Sequence, residues 1–130
     1  MYGIKALGAV AVALAGISLP VLAQDAPLDP SGAFADEFGT TFTFELCGSG
    51  TDLCGTLDVL KGESATEENL AYVGTMVMQA QQTEANTWKG AIQAGDLSAE
   101  ATVRQTGPDK IEIEGCRGGL LCQTLTYTRQ

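Results

Sequence analysis

The chain has 130 residues, with 16 acidic side chains, 7 basic side chains, no histidine and a formal net charge of -9. Such an acidic surface repels nucleic-acid phosphates and anionic lipid headgroups, so we expect no nucleic-acid partner and no role at a membrane surface. Without histidine, a Ser-His or Cys-His catalytic pair is impossible.

Residues 1–23 have the pattern of a secretory signal peptide. Lys5 precedes a long apolar run that ends in small residues, which predicts cleavage between Ala23 and Gln24. The alternative is a membrane anchor, but the run contains glycine and proline and is shorter than the ~20 residues that a spanning helix needs. We therefore expect an exported chain with no stable membrane insertion after cleavage.

Removal of 23 residues from 130 leaves 107, which is enough for one domain. Because Lys5 leaves with the leader and all acidic residues stay, the net charge moves from -9 to -10. Residues 24–31 contain Pro27 and Pro30, and this segment is predicted to be a flexible N-terminal tail. Residues 32–130 are predicted to form a single β-barrel domain.

All four cysteines follow the leader, at Cys47, Cys54, Cys116 and Cys122. An even count in a small exported chain predicts a disulfide framework. We predict the pairs Cys47–Cys54 and Cys116–Cys122, because each pair brackets a turn whose flanks can form a hairpin. A zinc site is disfavoured because the chain has no C-x2-C spacing and no histidine. Redox catalysis is disfavoured because the C-x-x-C motif is absent. No metal and no cofactor are expected.

The rest of the chain alternates apolar and polar residues between turn signals, which is typical of half-buried strands. KGESATEENL is the exception, because Ser64 stands three residues before Glu67 and predicts a capping box on a short helix. In chain order, the predicted strands are GAFAD, TTFTFEL, LCGTLDVL, VGTMVMQA, TWKGAIQ, LSAEATVRQ, KIEIEGC and LCQTLTYTR. Eight strands joined mostly by short turns predict an all-β, antiparallel up-and-down barrel.

A barrel of eight strands is filled by side chains or holds one small ligand. The predicted inward set is large, so we expect any cavity to be small. It comprises Phe42, Phe44, Leu46, Val59, Met76, Met78, Trp88, Ile92, Val103, Ile111, Ile113, Leu125 and Tyr127.

The combination of GAF, ELCG followed by LCGTLDVL, TWKGAI, and a terminal GC, LLC and TYTR resembles a bacterial exported family, domain of unknown function 2147. The resemblance covers most of residues 32–129 and implies a lipocalin-like, calycin-type barrel without an established activity. It also places the protein in the bacterial periplasm or outside the cell. Two departures are Phe34, where the family has tryptophan in G-x-W, and Tyr127, where it has TWTR. The loop between Lys61 and Leu70 is also shorter than is usual.

Arg129 shares strand parity with Leu125 and Tyr127, so it should point inward. An unpaired buried charge is costly, and the resemblance implies that this arginine packs on the first-strand aromatic, here Phe34. We therefore predict that Arg129 lies over the Phe34 ring and closes one end of the barrel. A solvated terminal arginine is the alternative.

We expect no catalysis, because Glu63, Glu67 and Glu68 have the spacing of exposed helix-start charges and Asp25 and Asp29 lie on the tail. The leading prediction is binding of a small apolar or amphipathic ligand. Its candidate residues are Phe42, Phe44, Met76, Met78, Trp88 and Tyr127.

Two other functions stay open. One is a protein-binding module or inhibitor of another exported protein, which would use the N-terminal arm or the disulfide-pinned loops SGTD and RGGL. The other is a stabilising component of the cell envelope.

Overall fold

The computed structural model describes residues 27–118 and 121–130 of the chain. The predicted signal peptide, residues 1–23, and the start of the predicted tail, residues 24–26, lie outside this part. None of the helices in the described ranges has the length and apolar character needed to cross a membrane.

Eight antiparallel strands form a closed barrel, which confirms the predicted fold class. The strands are β1 (Gly32–Ala35), β2 (Thr41–Cys47), β3 (Asp52–Val59), β4 (Met76–Glu84), β5 (Thr87–Ala94), β6 (Leu97–Gly107), β7 (Lys110–Arg117) and β8 (Leu121–Arg129). They follow one another in sequence order, and β1 pairs with both β2 and β8. The barrel therefore has no open sheet edge.

The alternation in the sequence sets the inner and outer faces. In β2, Phe42 and Phe44 are buried while Thr43 and Glu45 are exposed, since successive side chains of a strand point to opposite faces. The buried positions of β6 alternate in the same way. The alternation of apolar and polar residues is thus sufficient to predict which side chains of most strands face the barrel interior.

The up-and-down order gives the barrel two distinct ends. The turns β2–β3, β4–β5 and β6–β7 lie at one end, together with the start of β1 and Arg129 at the end of β8. We call this the closed end. The connections β1–β2, β3–β4, β5–β6 and β7–β8 lie at the opposite end, which we call the mouth.

The predicted helix is shorter than expected and is capped by a different residue. A 3-10 turn at Gly62–Ser64 precedes α1 (Glu67–Leu70), a single helical turn. Its N-cap is Thr66, whose hydroxyl accepts a hydrogen bond from the Asn69 backbone N–H at 3.2 Å. The predicted Ser64 capping box is wrong, because Ser64 belongs to the preceding 3-10 turn.

Met76 was predicted to face inward, but 56 % of its surface is exposed. The register between β3 and β4 shifts here, so that Gly55 faces Met78 and Thr56 faces Met76. The bulge leaves Val77 without a partner and places Val77 and Met78 on the inner face, 6 % and 2 % exposed. A one-residue insertion reverses strand parity, so Met76 turns outward.

Leu46 and Val59 were also predicted to face inward, and both are exposed, by 44 % and 37 %. Leu46 is the penultimate residue of β2 and Val59 is the last residue of β3. Leu46 is exposed beside the closed-end turn that follows β2. Val59 pairs with Thr41 beyond a register shift between β2 and β3, so it turns outward and the next residue, Leu60, is buried. Ile92 and Leu125 are partly buried and pack against the core. The other predicted inward residues are buried.

Candidate functional site

The closed end is covered by the last arginine of the chain. The Arg129 Cζ lies 4.6 Å from the centroid of the Phe34 ring, which is fully buried. This is the contact that the sequence predicts. The guanidinium stays partly solvated, with 29 % of the side chain exposed, so it needs no buried counter-ion.

Backbone carbonyls fix the orientation of this guanidinium. Arg129 Nη2 donates to the carbonyls of Asp29 and Pro108 at 2.9 Å and 2.8 Å, and Nη1 donates to the carbonyl of Ser31. A Cβ on Gly32, where φ is +124°, would lie 2.7 Å from Nη1. The positive φ of Gly32 favours glycine at this position, and a side chain there would also displace the Arg129 guanidinium.

The predicted flexible tail is not free over residues 28–31. The Leu28 N–H donates to Asn86 Oδ1 at 2.9 Å, and Gln105 Nε2 donates to the Asp29 carbonyl at 2.8 Å. Hydrogen bonds from Ser31 lower the pKa of Asp29. Pro30 is buried. The segment crosses the closed end and is part of the barrel's packing there.

Aromatic and large aliphatic side chains fill the closed half of the interior. Phe44 packs against Phe34 and Phe42, with ring centroids 5.8 Å and 5.7 Å apart. Gly55 allows this packing, since a Cβ there would lie 3.1 Å from the Phe44 ring. Trp88 is buried and its Nε1 donates to the Thr51 carbonyl at 2.8 Å. Of these side chains, Phe42 alone lines the cavity described next.

The mouth half of the interior contains a cavity of about 720 Å³. Its volume lies within the range of small-molecule sites, about 300–1,000 Å³. Its wall is mainly apolar and includes Phe42, Leu57, Val77, Ala94, Leu97, Ala99, Ile113, Leu125 and Tyr127. The cavity is larger than the sequence predicts, because β5, β6 and β7 present small residues at their mouth ends, namely Ala94, Ala99 and Gly115.

The six predicted ligand-binding residues do not form one site. Phe42 and Tyr127 line the cavity. Their rings contact edge to face with centroids 5.6 Å apart. Phe44, Met78 and Trp88 lie below it in the filled half. Met76 lies on the outer face of β4, for the reason given above.

A polar pair, Asp36 and Tyr127, lies in the mainly apolar wall. The Asp36 carboxylate oxygen Oδ1 accepts hydrogen bonds from the backbone N–H groups of Phe38 and Thr40 at 2.9 Å and 3.0 Å. The buried Tyr127 hydroxyl lies beside this carboxylate. Burial, with a smaller contribution from Asp36, raises the pKa of Tyr127. The hydroxyl is therefore protonated at neutral pH and is one of the hydrogen-bonding groups of the wall.

The β3–β4 connection forms one side of the mouth. Its buried Asn69 accepts a hydrogen bond from the Asp96 N–H at 3.1 Å and donates to the Ser64 carbonyl at 3.0 Å. The first bond ties the connection to the β5–β6 turn, and the second lies within the connection. Glu63, Glu67 and Glu68 are exposed on it, as the sequence predicts for capping charges.

Both predicted disulfides are present, one at each end of the barrel. Cys47–Cys54 joins β2 and β3 next to the closed-end turn. Cys116–Cys122 joins β7 and β8 at the mouth, where Cys122 lines the cavity. Glu114 lies close to this second pair. Because both sulfurs are bonded to each other, the three residues do not offer the thiolates that a metal site requires.

Most of the exposed large apolar side chains surround the mouth. Five of them stand on or beside the β3–β4 connection, and two belong to the neighbouring loop and strand start. They are Val59, Leu70, Tyr72, Val73 and Met76, with Phe38 and Leu121. Phe38 and Leu121 also line the cavity. The apolar rim is thus continuous with the apolar cavity wall.

Comparison of the chain with protein-family models, with curated proteins and with solved structures returned no match. The candidate site therefore rests on geometry alone.

Sequence reasoning missed Val77, Asp36 and the small residues at the mouth. The signal that could have found the cavity is the change from large to small inward residues along one strand. In β7, Ile111 and Ile113 are followed at the same parity by Gly115.

Proposed function

We propose that this protein is an exported, non-catalytic barrel that binds a small apolar or amphipathic molecule in the mouth cavity. The observation that carries the proposal is the unequal filling of one barrel. The closed half is packed solid, while the mouth half holds about 720 Å³ behind an apolar wall and rim. A domain of this size that needed only stability would gain by filling that space.

Export is supported by the leader pattern of residues 1–23 and by both disulfides, which fit an oxidising compartment outside the cytoplasm. The contact of Arg129 with Phe34 supports the resemblance to the bacterial exported family. Mass spectrometry of the exported protein tests this part of the proposal. We expect a chain that begins at Gln24; a retained leader would contradict export by cleavage.

A cavity-filling variant tests binding directly. Ala99 lines the cavity on β6, and Ala85 is exposed in the β4–β5 turn at the closed end. Ala99→Phe should reduce the affinity for Nile red and for dodecanol by about tenfold or more, because the new ring occupies the ligand's volume. Ala85→Phe adds the same ring where no cavity exists and should leave both affinities unchanged. Circular dichroism establishes that both variants fold.

The apolar rim favours one alternative, a protein-binding module. The N-terminal arm does not support it over residues 28–31, because these are engaged at the closed end. The same titration separates the two functions. If neither Nile red nor dodecanol binds the wild-type protein saturably, the ligand-binding proposal is wrong, and the rim remains as a contact surface for another exported protein.

A further inference from the structure

The positive charges of this acidic protein are unevenly placed. Of the basic residues in the described part, Lys61 and Arg117 line the mouth cavity. Lys61 follows β3 and Arg117 is the last residue of β7. Because β3 and β7 are four strands apart in a closed barrel of eight, the two cations stand on opposite sides of the mouth. Both side chains are exposed.

The acidic groups at the cavity do not neutralise these cations fully. The cavity wall contains two carboxylates, Asp36 and Glu63. Asp36 already accepts two backbone hydrogen bonds and lies beside the Tyr127 hydroxyl. Glu63 is exposed on the 3-10 turn. Across residues 27–118 and 121–130, the single ion pair is Arg129–Asp109 at the closed end.

We propose that the ligand is a single-chain amphiphile with an anionic head group, such as a medium-chain carboxylate. Its tail fills the apolar cavity and its head group lies at the mouth between Lys61 and Arg117. This inference rests on the proposed function and adds the charge of the ligand to it. The net charge of -9 repels an anionic ligand at long range. The preference for an anionic head group therefore has to come from the two cations at the mouth.

The expected size of the preference for an anionic head group follows from the exposure of Lys61 and Arg117 to solvent. Cations at an open mouth interact with a hydrated head group across a high dielectric, where each pair contributes modestly and is screened by salt. Two such pairs correspond to a preference of about five- to tenfold in dissociation constant. The preference should fall at high salt, whereas the contribution of the apolar tail should not.

The test compares three probes that share one tail: dodecanoate, dodecanol and dodecyltrimethylammonium. Dissociation constants are measured by displacement of Nile red from the mature protein, below the micelle-forming concentration of each probe and at mildly alkaline pH. For the wild-type protein, dodecanoate should bind about five- to tenfold tighter than dodecanol, and the ammonium probe should bind weakest.

Two charge-matched double variants assign the effect to the mouth. Lys61→Gln with Arg117→Gln removes the two mouth cations, and Lys89→Gln with Lys110→Gln removes two exposed cations away from the cavity. The first variant should bind dodecanoate and dodecanol equally, while the second should keep the wild-type preference. Equal melting temperatures show that neither variant changes the fold.

Each other result overturns the inference. If dodecanoate and dodecanol bind the wild-type protein equally, or if the ammonium probe binds tightest, the ligand is not anionic although the proposed function stands. If the preference survives in the variant that lacks Lys61 and Arg117, another group selects the head group. If none of the three probes binds, the inference and the proposed function both fail.

Discussion

The closed end and the mouth are made from the same strands, but their inward side chains differ in size. On β5, β6 and β7 the closed half presents Trp88, Val103 and Ile111, all at most 2 % exposed. Towards the mouth the same strands place Ala94, Ala99 and Gly115 at the wall of a cavity of about 720 Å³. Whether the interior of a small barrel is filled thus depends on the volume of the inward side chains at each level, and not on the backbone.

The largest expected effect comes from removing an aromatic ring at each end. Phe34 is fully buried at the closed end, whereas Phe38 is 54 % exposed at the mouth. Phe34→Ala should lower the free energy of unfolding by about 3–5 kcal/mol, because it leaves a cavity and removes the ring beneath Arg129. Phe38→Ala should change it by less than about 0.5 kcal/mol. Urea unfolding of the two variants measures both changes, and equal losses would contradict the division into two ends.

The two methionines of β4 give the next comparison. Met78→Ala should lower the free energy of unfolding by about 2–5 kcal/mol, because the side chain is only 2 % exposed. Met76→Ala should have almost no effect, because the bulge at Val77 turns this residue to solvent. A loss from Met76→Ala as large as that from Met78→Ala would contradict the bulge.

The disulfides should contribute alike to stability and differently to binding. Each closes a short loop, with sequence separations of 7 and 6, so each should stabilise the fold by about 2 kcal/mol in the chain-entropy model. Replacing Cys116 and Cys122 by serine should also weaken Nile red binding, since Cys122 lines the cavity. Replacing Cys47 and Cys54 by serine should not. Equal loss of binding in both variants would show that the mouth is not a distinct site.

Substitution of the arginine at the closed end should also destabilise the fold more than substitution of the arginine at the mouth. Arg129→Ala removes the contact with Phe34 and the hydrogen bonds to three carbonyls, and should cost about 1–2 kcal/mol in the free energy of unfolding. The ion pair with Asp109 adds little, because that carboxylate is 71 % exposed. Arg117→Ala at the mouth should be neutral for stability. An unchanged melting temperature in Arg129→Ala would remove the arginine from the account of the closed end.

The smallest effect concerns alkaline pH. The folded protein raises the pKa of Tyr127 above its ordinary value of 10.0. The protonated hydroxyl is therefore favoured in the folded state, and this contribution is complete below pH 10.0 and is lost as the pH rises above it. The free energy of unfolding should fall there by up to about 1.4 kcal/mol per pH unit from this group.

Tyr127→Phe should flatten that alkaline decline, whereas Tyr72→Phe should not, because Tyr72 is 41 % exposed. Urea unfolding at a series of alkaline pH values gives the slopes. Identical slopes in the wild-type protein and in Tyr127→Phe would mean that the hydroxyl is not buried in the wall.

Much of the barrel could be predicted from the sequence because strand alternation and hairpin cysteines are local signals. Both disulfides and the number of strands followed from them. The position of Arg129 over Phe34 was expected from the inward parity of Arg129 together with the family resemblance. The wrong predictions concern features that depend on contacts between separate segments of the chain. Met76 was misplaced because a bulge depends on the register with the neighbouring strand, which one strand's pattern does not contain.

The candidate site was harder to predict for the same reason. A cavity depends on which residues lie at one level of the barrel, and Ala94, Ala99 and Gly115 are far apart in sequence. The hydrogen bonds of Leu28 and Asp29 were not predicted because their partners, Asn86 and Gln105, come from distant turns and strands.

The central claim is that the barrel is filled at one end and holds an apolar molecule at the other. Titration of the methyl-labelled protein with dodecanol tests it in one spectrum. We expect saturable shifts at Val77 and Ile113, which line the cavity, and none at Val103 and Ile111, which lie in the filled half. Shifts of equal size in both pairs, or none at all, would contradict the account.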